Sequence, residues 1–159
     1  MRDPDKYAWH RETDEPLFKG RPPDMRIGPA NAPQTLRWDL FRWRGVQVAL
    51  HRWLRSDSDR ALHDHSAGNI SILLTGVYRE WFNHAWDPVK RKWRLPLIPY
   101  YRRGDTPHRV ELTHGPLWTL WIRFKPWREW GFHCPKGWKH WKAYVSERDN
   151  GEVGRGCDE

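Results

Sequence analysis

Apolar and polar residues alternate with a period of two along most of the chain between residues 46 and 124. This period places one set of side chains on each face of an extended strand, and short runs of it bounded by Gly, Pro or Asp are typical of β-strands. The pattern predicts seven strands, at residues 46–53, 61–65, 69–74, 77–82, 95–102, 109–112 and 117–124. The sequence therefore predicts an all-β sandwich or jelly-roll β-barrel, in which Gly76 forms a tight hairpin turn.

The two ends of the chain differ from its middle. Residues 1–33 contain six of the 13 prolines and show no period, which predicts an extended Pro-rich arm. Residues 147–159 contain five acids, three glycines and two arginines, which predicts an acidic flexible tail. We expect residues 34–146 to form one barrel domain, with a further short strand at 130–133. This domain has 20 Lys or Arg and 9 Asp or Glu, a net charge of +11.

The two cysteines, Cys134 and Cys157, are too few for a disulfide framework. Cys157 lies in the predicted flexible tail, where nothing fixes its geometry, so we expect both thiols to be reduced. The sequence shows no apolar N-terminal segment of the signal-peptide type and no apolar run long enough to span a bilayer. These features predict a cytoplasmic protein that does not interact with membranes.

Three histidines stand where a small barrel could bring them around one metal ion. Residues two apart on a strand point to the same face, so His63 and His65 project together, while Asp64 points away toward solvent or toward residues that surround the site. His108 follows a turn that begins at Gly104. It lies beside the predicted strand 109–112, and not on the strand that carries His63 and His65. Three imidazoles that leave coordination positions open suit a divalent metal that activates a small molecule.

This spacing resembles the sequence motifs of the cupin superfamily over residues 46–124. The first motif runs His-x-His, three or four residues, Glu, six residues, Gly. His63, His65 and Gly76 stand in register with it, and Asn69 takes the position of the Glu. The second motif has a Gly, a Pro-containing turn and a His. Its usual second Gly and closing Asn are absent here, and the residues that match it are Gly104, Pro107 and His108.

The resemblance implies that His63, His65 and His108 are metal ligands and that Asn69 stands in the place of a fourth ligand, as a weaker, neutral donor. A site of three histidines without a carboxylate is similar to that of the thiol dioxygenase branch. The implied cofactor is a divalent transition metal, Fe(II) in first place, with Zn, Mn or Ni as alternatives. Segments 108–112, 118–120 and 130–132 are also similar to small uncharacterised cupin-like proteins of bacteria and their phages.

A small anionic substrate needs an anchor beside the metal. Arg79 and Arg123 lie on predicted strands, and a guanidinium can hold a carboxylate or a phosphate through two parallel hydrogen bonds. Tyr101 is a candidate for a catalytic hydroxyl, with Tyr78 as an alternative. His51 lies within an apolar predicted strand and is interpreted as a packed core residue.

These observations favour a non-haem Fe(II) dioxygenase-type oxidoreductase that acts on a small anionic metabolite, while isomerase and lyase chemistry stay open. A cupin barrel that binds a small ligand without chemistry is a second class. A nucleic-acid-binding protein is a third, because the basic domain has many Trp residues beside Arg or Lys that could stack on bases and neutralise phosphates. The 13 Trp are spread along the whole chain, which makes this third class the less favoured one. A homodimer is compatible with each class.

Overall fold

Two antiparallel sheets of six strands each form the computed structural model, which describes residues 21–29, 32–57, 61–82, 90–145, 154, 156 and 157. The elements are β1 (Met25–Ile27), β2 (Thr35–Trp43), β3 (Val46–Trp53), β4 (Leu62–His63), β5 (Asn69–Leu73), β6 (Tyr78–Phe82), β7 (Lys90–Arg94), β8 (Pro99–Arg102), β9 (His108–Leu112), β10 (Leu117–Arg123), β11 (Gly131–Cys134), β12 (Gly137–His140) and α1 (Trp141–Tyr144). Within these residues, no helix has the length and apolar character needed to cross a membrane.

The order of strands is that of a jelly roll. The first sheet has the order β1-β2-β3-β10-β5-β8, and the second has the order β12-β11-β4-β9-β6-β7. From β3 to β11 the chain changes sheet at every connection except the one between β6 and β7. Leu73 and Leu117 of the first sheet pack against Tyr78 and Val110 of the second in one buried cluster. The predicted all-β jelly-roll class is therefore confirmed.

Gly76 forms a tight turn, but the turn does not close a hairpin. Its φ is +72°, a conformation that glycine adopts without strain because it has no Cβ. The turn connects β5 in the first sheet to β6 in the second, where β6 pairs with β7 and β9. The prediction of a hairpin is wrong because a local turn signal does not specify which sheet receives the next strand.

The period of two located the regular strands and missed the irregular ones. The strands predicted at 46–53, 69–74, 77–82, 109–112 and 117–124 correspond to β3, β5, β6, β9 and β10 to within one residue at each end, as does the one at 130–133 to β11. The predicted segment 95–102 is a strand only from Pro99 onward. The pattern missed β1, β2, β7 and β12. A bulge between Asp39 and Phe41 interrupts the alternation of β2, and β7 is exposed along nearly its whole length, so its sequence shows no alternation to detect.

Part of the region assigned to the arm belongs to the first sheet. Met25–Ile27 forms β1, which pairs with β2 at the edge of that sheet. Residues 1–20 lie outside the described residues, so the arm and the boundary at residue 33 stay predictions.

Cys134 and Cys157 form a disulfide, so the expectation of two reduced thiols is wrong for this structure. Their sulfur atoms are 1.99 Å apart and their Cα atoms 5.4 Å apart. The backbone N–H groups of Gly154 and Gly156 donate to the carbonyl of Tyr144 at 3.0 and 3.2 Å, and these bonds bring Cys157 to the end of β11. Most residues of the predicted flexible tail lie outside the described part of the chain.

Candidate metal centre

Three imidazoles converge on the inner face of the second sheet. His63 on β4 lies directly opposite His108 on β9, and His65 follows two residues after His63. One ring nitrogen of each histidine lies within 4.8 Å of those of the other two. The Nε2 atoms of His65 and His108 are 2.7 Å apart. The structure therefore brings together the three histidines that the sequence singled out.

Backbone contacts of Gly104 hold His65 in this position. The N–H of His65 donates to the carbonyl of Gly104 at 2.8 Å. A Cβ at residue 104 would lie 2.9 Å from the backbone of Ala67 and 3.0 Å from the carbonyl oxygen of His65, closer than real Cβ contacts. Only glycine allows the two segments to approach so closely, which gives a physical reason for a Gly in this part of the second motif.

Two carboxylates approach the outer nitrogens of the cluster. Nδ1 of His108 lies 2.9 Å from Oε1 of Glu80, and Nδ1 of His63 lies 3.9 Å from Oδ2 of Asp57. Glu80 is 1% exposed and forms ion pairs with the guanidinium groups of Arg94 and Arg102. Burial acts to raise the pKa of Glu80, but Arg102 and His108 outweigh it and hold this pKa below its ordinary value. A carboxylate at Nδ1 fixes the orientation of the His108 ring and directs Nε2 toward the other histidines.

The three histidines are neutral near pH 7. Burial, helped by the charge of Arg102, lowers the pKa of His108 to about 3. Burial and the two neighbouring imidazoles hold the pKa of His65 well below its ordinary value. Burial also lowers the pKa of His63, although Asp57 acts in the opposite direction. A neutral imidazole offers a lone pair, so the donor set of this cluster fits a divalent transition metal.

A cavity of about 290 Å³ lies between the two sheets, and the three histidines form part of its wall. Phe132 and Tyr78 of the second sheet also line it. The first sheet contributes charged, polar and aromatic side chains to the opposite wall, among them Arg37, His51, Trp53, Trp121 and Arg123. The interior is therefore an aromatic chamber with a polar group on each side, which is typical of a small-molecule site.

The predicted anchors are divided between the cavity and the surface. Arg123 lines the cavity. Arg79 lies on the opposite face of its sheet, where its Nη2 donates to Glu111 at 2.6 Å and its guanidinium stacks on Trp93. Tyr101 is 65% exposed and is not part of the cavity wall. Arg123 and the alternative Tyr78 thus line the same cavity as the three histidines, whereas Arg79 and Tyr101 do not.

Asn69 has a different neighbour from the one that the sequence predicted. Its side chain is fully buried, and Oδ1 accepts a hydrogen bond from Nη1 of Arg102 at 3.2 Å. Asn69 is not part of the cavity wall. Its contact with Arg102 supports a role in holding that guanidinium against Glu80, and the arrangement lends no support to a fourth metal ligand at residue 69.

Asp64 is buried, so of the two alternatives expected for it, exposure to solvent is wrong. It points away from the cluster, as predicted, but is 0% exposed. Its carboxylate accepts hydrogen bonds from the N–H of Gly131 at 2.8 Å and from Trp138 Nε1 at 2.9 Å, and lies 2.8 Å from Arg128 Nη1 and 3.0 Å from His133 Nε2. Despite burial, these partners lower the pKa of Asp64. Asp64 therefore fixes β11 and β12 to the back of β4.

Sequence reasoning missed Glu80, Arg102 and Arg37 and gave His51 only a packing role. A signal for Glu80 was present, since the period of two places it on the same face as Tyr78 and therefore inside the sandwich. A buried carboxylate needs a cation or a hydrogen-bond donor beside it, so an inward-facing acid at residue 80 was a sign of a polar site. No such signal distinguishes Arg102 or Arg37 from the many other arginines of the chain.

Comparisons with known proteins agree with this architecture. No protein-family model and no curated protein matches the chain. Among solved structures, HppE in its Fe(II) form with substrate has 13% identity and a TM-score of 0.52, covering 63% of this chain and 55% of HppE. A Ralstonia eutropha JMP134 protein assigned as a mannose-6-phosphate isomerase has 14% identity and a TM-score of 0.51, covering 62% of this chain and 91% of that protein.

HutD from Pseudomonas fluorescens SBW25 has 15% identity and a TM-score of 0.50, covering 64% of this chain and 56% of HutD. The chain thus spans little more than half the length of HppE and of HutD. All three neighbours are cupin superfamily proteins. Identity at this level indicates a shared fold, and the two six-stranded sheets with three converging histidines agree with it. The chain therefore shares the fold of these neighbours.

Proposed function

We propose that this protein is a metal-dependent cupin in which His63, His65 and His108 hold one divalent transition metal. The convergence of three neutral imidazoles on one cavity, that of His108 buried and the other two half-buried, carries the proposal. Packing alone does not account for the cluster, because burying the polar nitrogens of three adjacent imidazoles costs free energy. Apolar side chains at the same positions would avoid this cost. The carboxylate of Glu80 at the rear of His108 is a further feature of metal-binding histidines.

Fe(II) is the metal that we propose first, with Zn, Mn and Ni as alternatives. Imidazole nitrogens bind all of these ions, so the ligands do not select among them. The structural similarity to the Fe(II) form of HppE supports iron. When bound, such a metal would supply open coordination positions for a small molecule and, as Fe(II), redox chemistry.

We propose oxygenase chemistry on a small organic anion. Three guanidinium groups, those of Arg37, Arg102 and Arg123, line the cavity against the single lining carboxylate of Asp57, and this excess of cations favours an anionic substrate. Arg37 also forms an ion pair with Asp39 at 3.0 Å. The rings of Trp53, Trp121 and Phe132 surround the same space and would exclude water from a bound molecule. These residues bind and orient the substrate, while the metal ligands determine where it reacts.

Elemental analysis of the purified protein, followed by anaerobic loading with Fe(II), tests this function. We expect about one metal ion per chain and oxygen consumption with at least one member of a panel of thiols, amino acids and keto acids. His108→Ala should lose the metal, because it deletes one of only three ligands. His114→Ala is the matched control, since His114 is exposed and outside the cluster. Retention of the metal by His108→Ala would contradict the proposal.

A second candidate function is binding of single-stranded nucleic acid, and the register of the second sheet favours it. On its outer face Arg79 lies opposite Trp93, and Trp81 lies between Arg91 and Arg109 on the neighbouring strands. The guanidinium groups lie 5.7, 5.3 and 5.1 Å from the rings they contact. The Trp residues are spread along the sequence, but pairing of β6, β7 and β9 thus collects two of them with three cations on one face.

Fluorescence anisotropy with a labelled single-stranded oligonucleotide tests this candidate. Binding should weaken steeply between about 50 and 200 mM salt, as expected for phosphate contacts. Trp93→Ala should weaken binding roughly tenfold through lost stacking, whereas Trp43→Ala, which removes an equally exposed Trp from the first sheet, should not. Equal loss in the two variants would show that this face has no special role.

A further inference from the structure

The wall opposite the three histidines contains a fourth imidazole in a polar row. His51 on β3 lies in register with Arg37 on β2 and with Thr119 on β10, so the three side chains share the inner face of the first sheet. All three line the cavity. His51 is 7% exposed, and its ring centroid lies 4.9 Å from that of Trp121.

One nitrogen of the His51 ring, Nε2, has no hydrogen-bond partner among the described residues. This atom is fully buried. A buried polar group left unpaired lowers stability, so a residue that only packs would be more stable here as Phe or Leu. Buried polar groups at a cavity wall are explained when a ligand completes their hydrogen bonds.

The surroundings of His51 define the chemistry that it would recognise. Burial, together with the charge of Arg37, lowers the pKa of His51 to about 3, although Asp39 acts in the opposite direction. At pH 7 the ring is therefore neutral and carries one N–H donor. Two guanidinium groups, those of Arg37 and Arg123, line the same wall. One neutral donor beside two positive charges suits the oxygens of a carboxylate or a phosphonate.

We propose that this wall is the head-group subsite of the cavity. His51 donates a hydrogen bond to an anionic oxygen of a small organic acid, and Arg37 and Arg123 balance its charge. The other end of the molecule then faces His63, His65 and His108 across the chamber. The inference rests on the proposed function only for the statement that the other end of the molecule reacts at the three histidines. The head-group contact itself involves no metal.

Calorimetric titration of the folded protein with butyrate and with propylphosphonate tests the subsite. We expect both probes to bind, with or without metal, and His51→Phe to weaken binding about tenfold or more, because a hydrogen bond to a charged oxygen is lost. His51→Gln retains an N–H donor and should bind within about threefold of the wild-type protein. His51→Phe should also be at least as stable as the wild type, which separates lost binding from a folding defect.

The outcomes of this titration test the head-group subsite and the metal-dependent function separately. Equal binding by wild type and His51→Phe, or no binding of either probe to the wild type at millimolar concentrations, would overturn the subsite. Probe binding that depends on residue 51 in a protein unable to retain any metal would leave the subsite standing and reject the metal-dependent function. If the protein retains metal but probe binding does not depend on residue 51, the metal-dependent function stands and the subsite is rejected.

Discussion

Glu80 and Asp64 are buried carboxylates on opposite faces of the second sheet, and their different roles explain how the site is built. Glu80 is 1% exposed and Asp64 is 0% exposed. Glu80 lies on the inner face, behind the cavity wall, and contacts His108, although the two are far apart in sequence. Asp64 lies between two of the proposed ligands in sequence but holds β11 and β12 on the other face. Position across the sheet, and not distance along the chain, determines which acid belongs to the site.

The largest effect is expected for Glu80→Gln. Loss of this charge leaves the guanidinium groups of Arg94 and Arg102 without their carboxylate, and breaking a buried pair costs about 3–5 kcal/mol of unfolding free energy. The variant should also bind Zn(II) about 10–100-fold more weakly, because the orientation of His108 is lost. Chemical denaturation and competition with a chromophoric chelator measure the two effects. Glu111→Gln, the 31% exposed partner of Arg79, is the control and should change stability by less than about 1 kcal/mol.

Asp64→Asn should separate stability from metal binding. The unfolding free energy should fall by about 3 kcal/mol, at the low end for a buried pair because Arg128 is 22% exposed and can be rehydrated. Zn(II) affinity should stay within about threefold of the wild type, since Asp64 does not face the cluster. A loss of affinity as large as that of Glu80→Gln would show that the two faces of the sheet are not independent.

Cys134→Ser should lower stability without altering the metal centre. The disulfide closes a loop with a sequence separation of 23 residues, for which chain entropy predicts a loss of about 3 kcal/mol. Thermal unfolding with and without reductant provides the measurement. Because the wild-type protein in reductant should match the variant, any further difference between them would indicate a role for the thiol itself.

The smallest effect concerns acid stability of the metal-free protein. His51 and His108 have pKa values of about 3 when folded, against an ordinary value of 6.5. Protonation of these two residues therefore costs no stability above pH 6.5, and it increasingly favours the unfolded chain as the pH falls from 6.5 toward 3. At pH 5 each should contribute a loss on the order of 2 kcal/mol. His51→Phe should show a shallower decline than the wild type between pH 7.5 and pH 5 by that amount, and parallel curves would contradict it.

The alternation of residues was sufficient to place several side chains correctly. It put His63 and His65 on one face and Asp64 on the other, and the structure agrees. Applied to the strand around Tyr78 and Glu80, the same rule also puts Arg79 outside, so Arg79 was a poor candidate for a cavity anchor from the start. Where the period of two is interrupted, as at the bulge in β2, the pattern predicts no strand and therefore no role for Arg37.

The sequence by itself determined the all-β class and most strand positions, and its resemblance to the cupin motifs singled out the three histidines. The class and the strand positions follow from interactions between residues near in sequence, since strand period and turn residues act locally. Only the tertiary structure decided that Gly76 joins two sheets, that Asn69 contacts Arg102, that Tyr101 is exposed, and that Cys157 reaches Cys134. Period two assigns a side chain to a face, but strand pairing and sheet packing decide what that face meets. Those pairings are set by the burial of the whole sandwich.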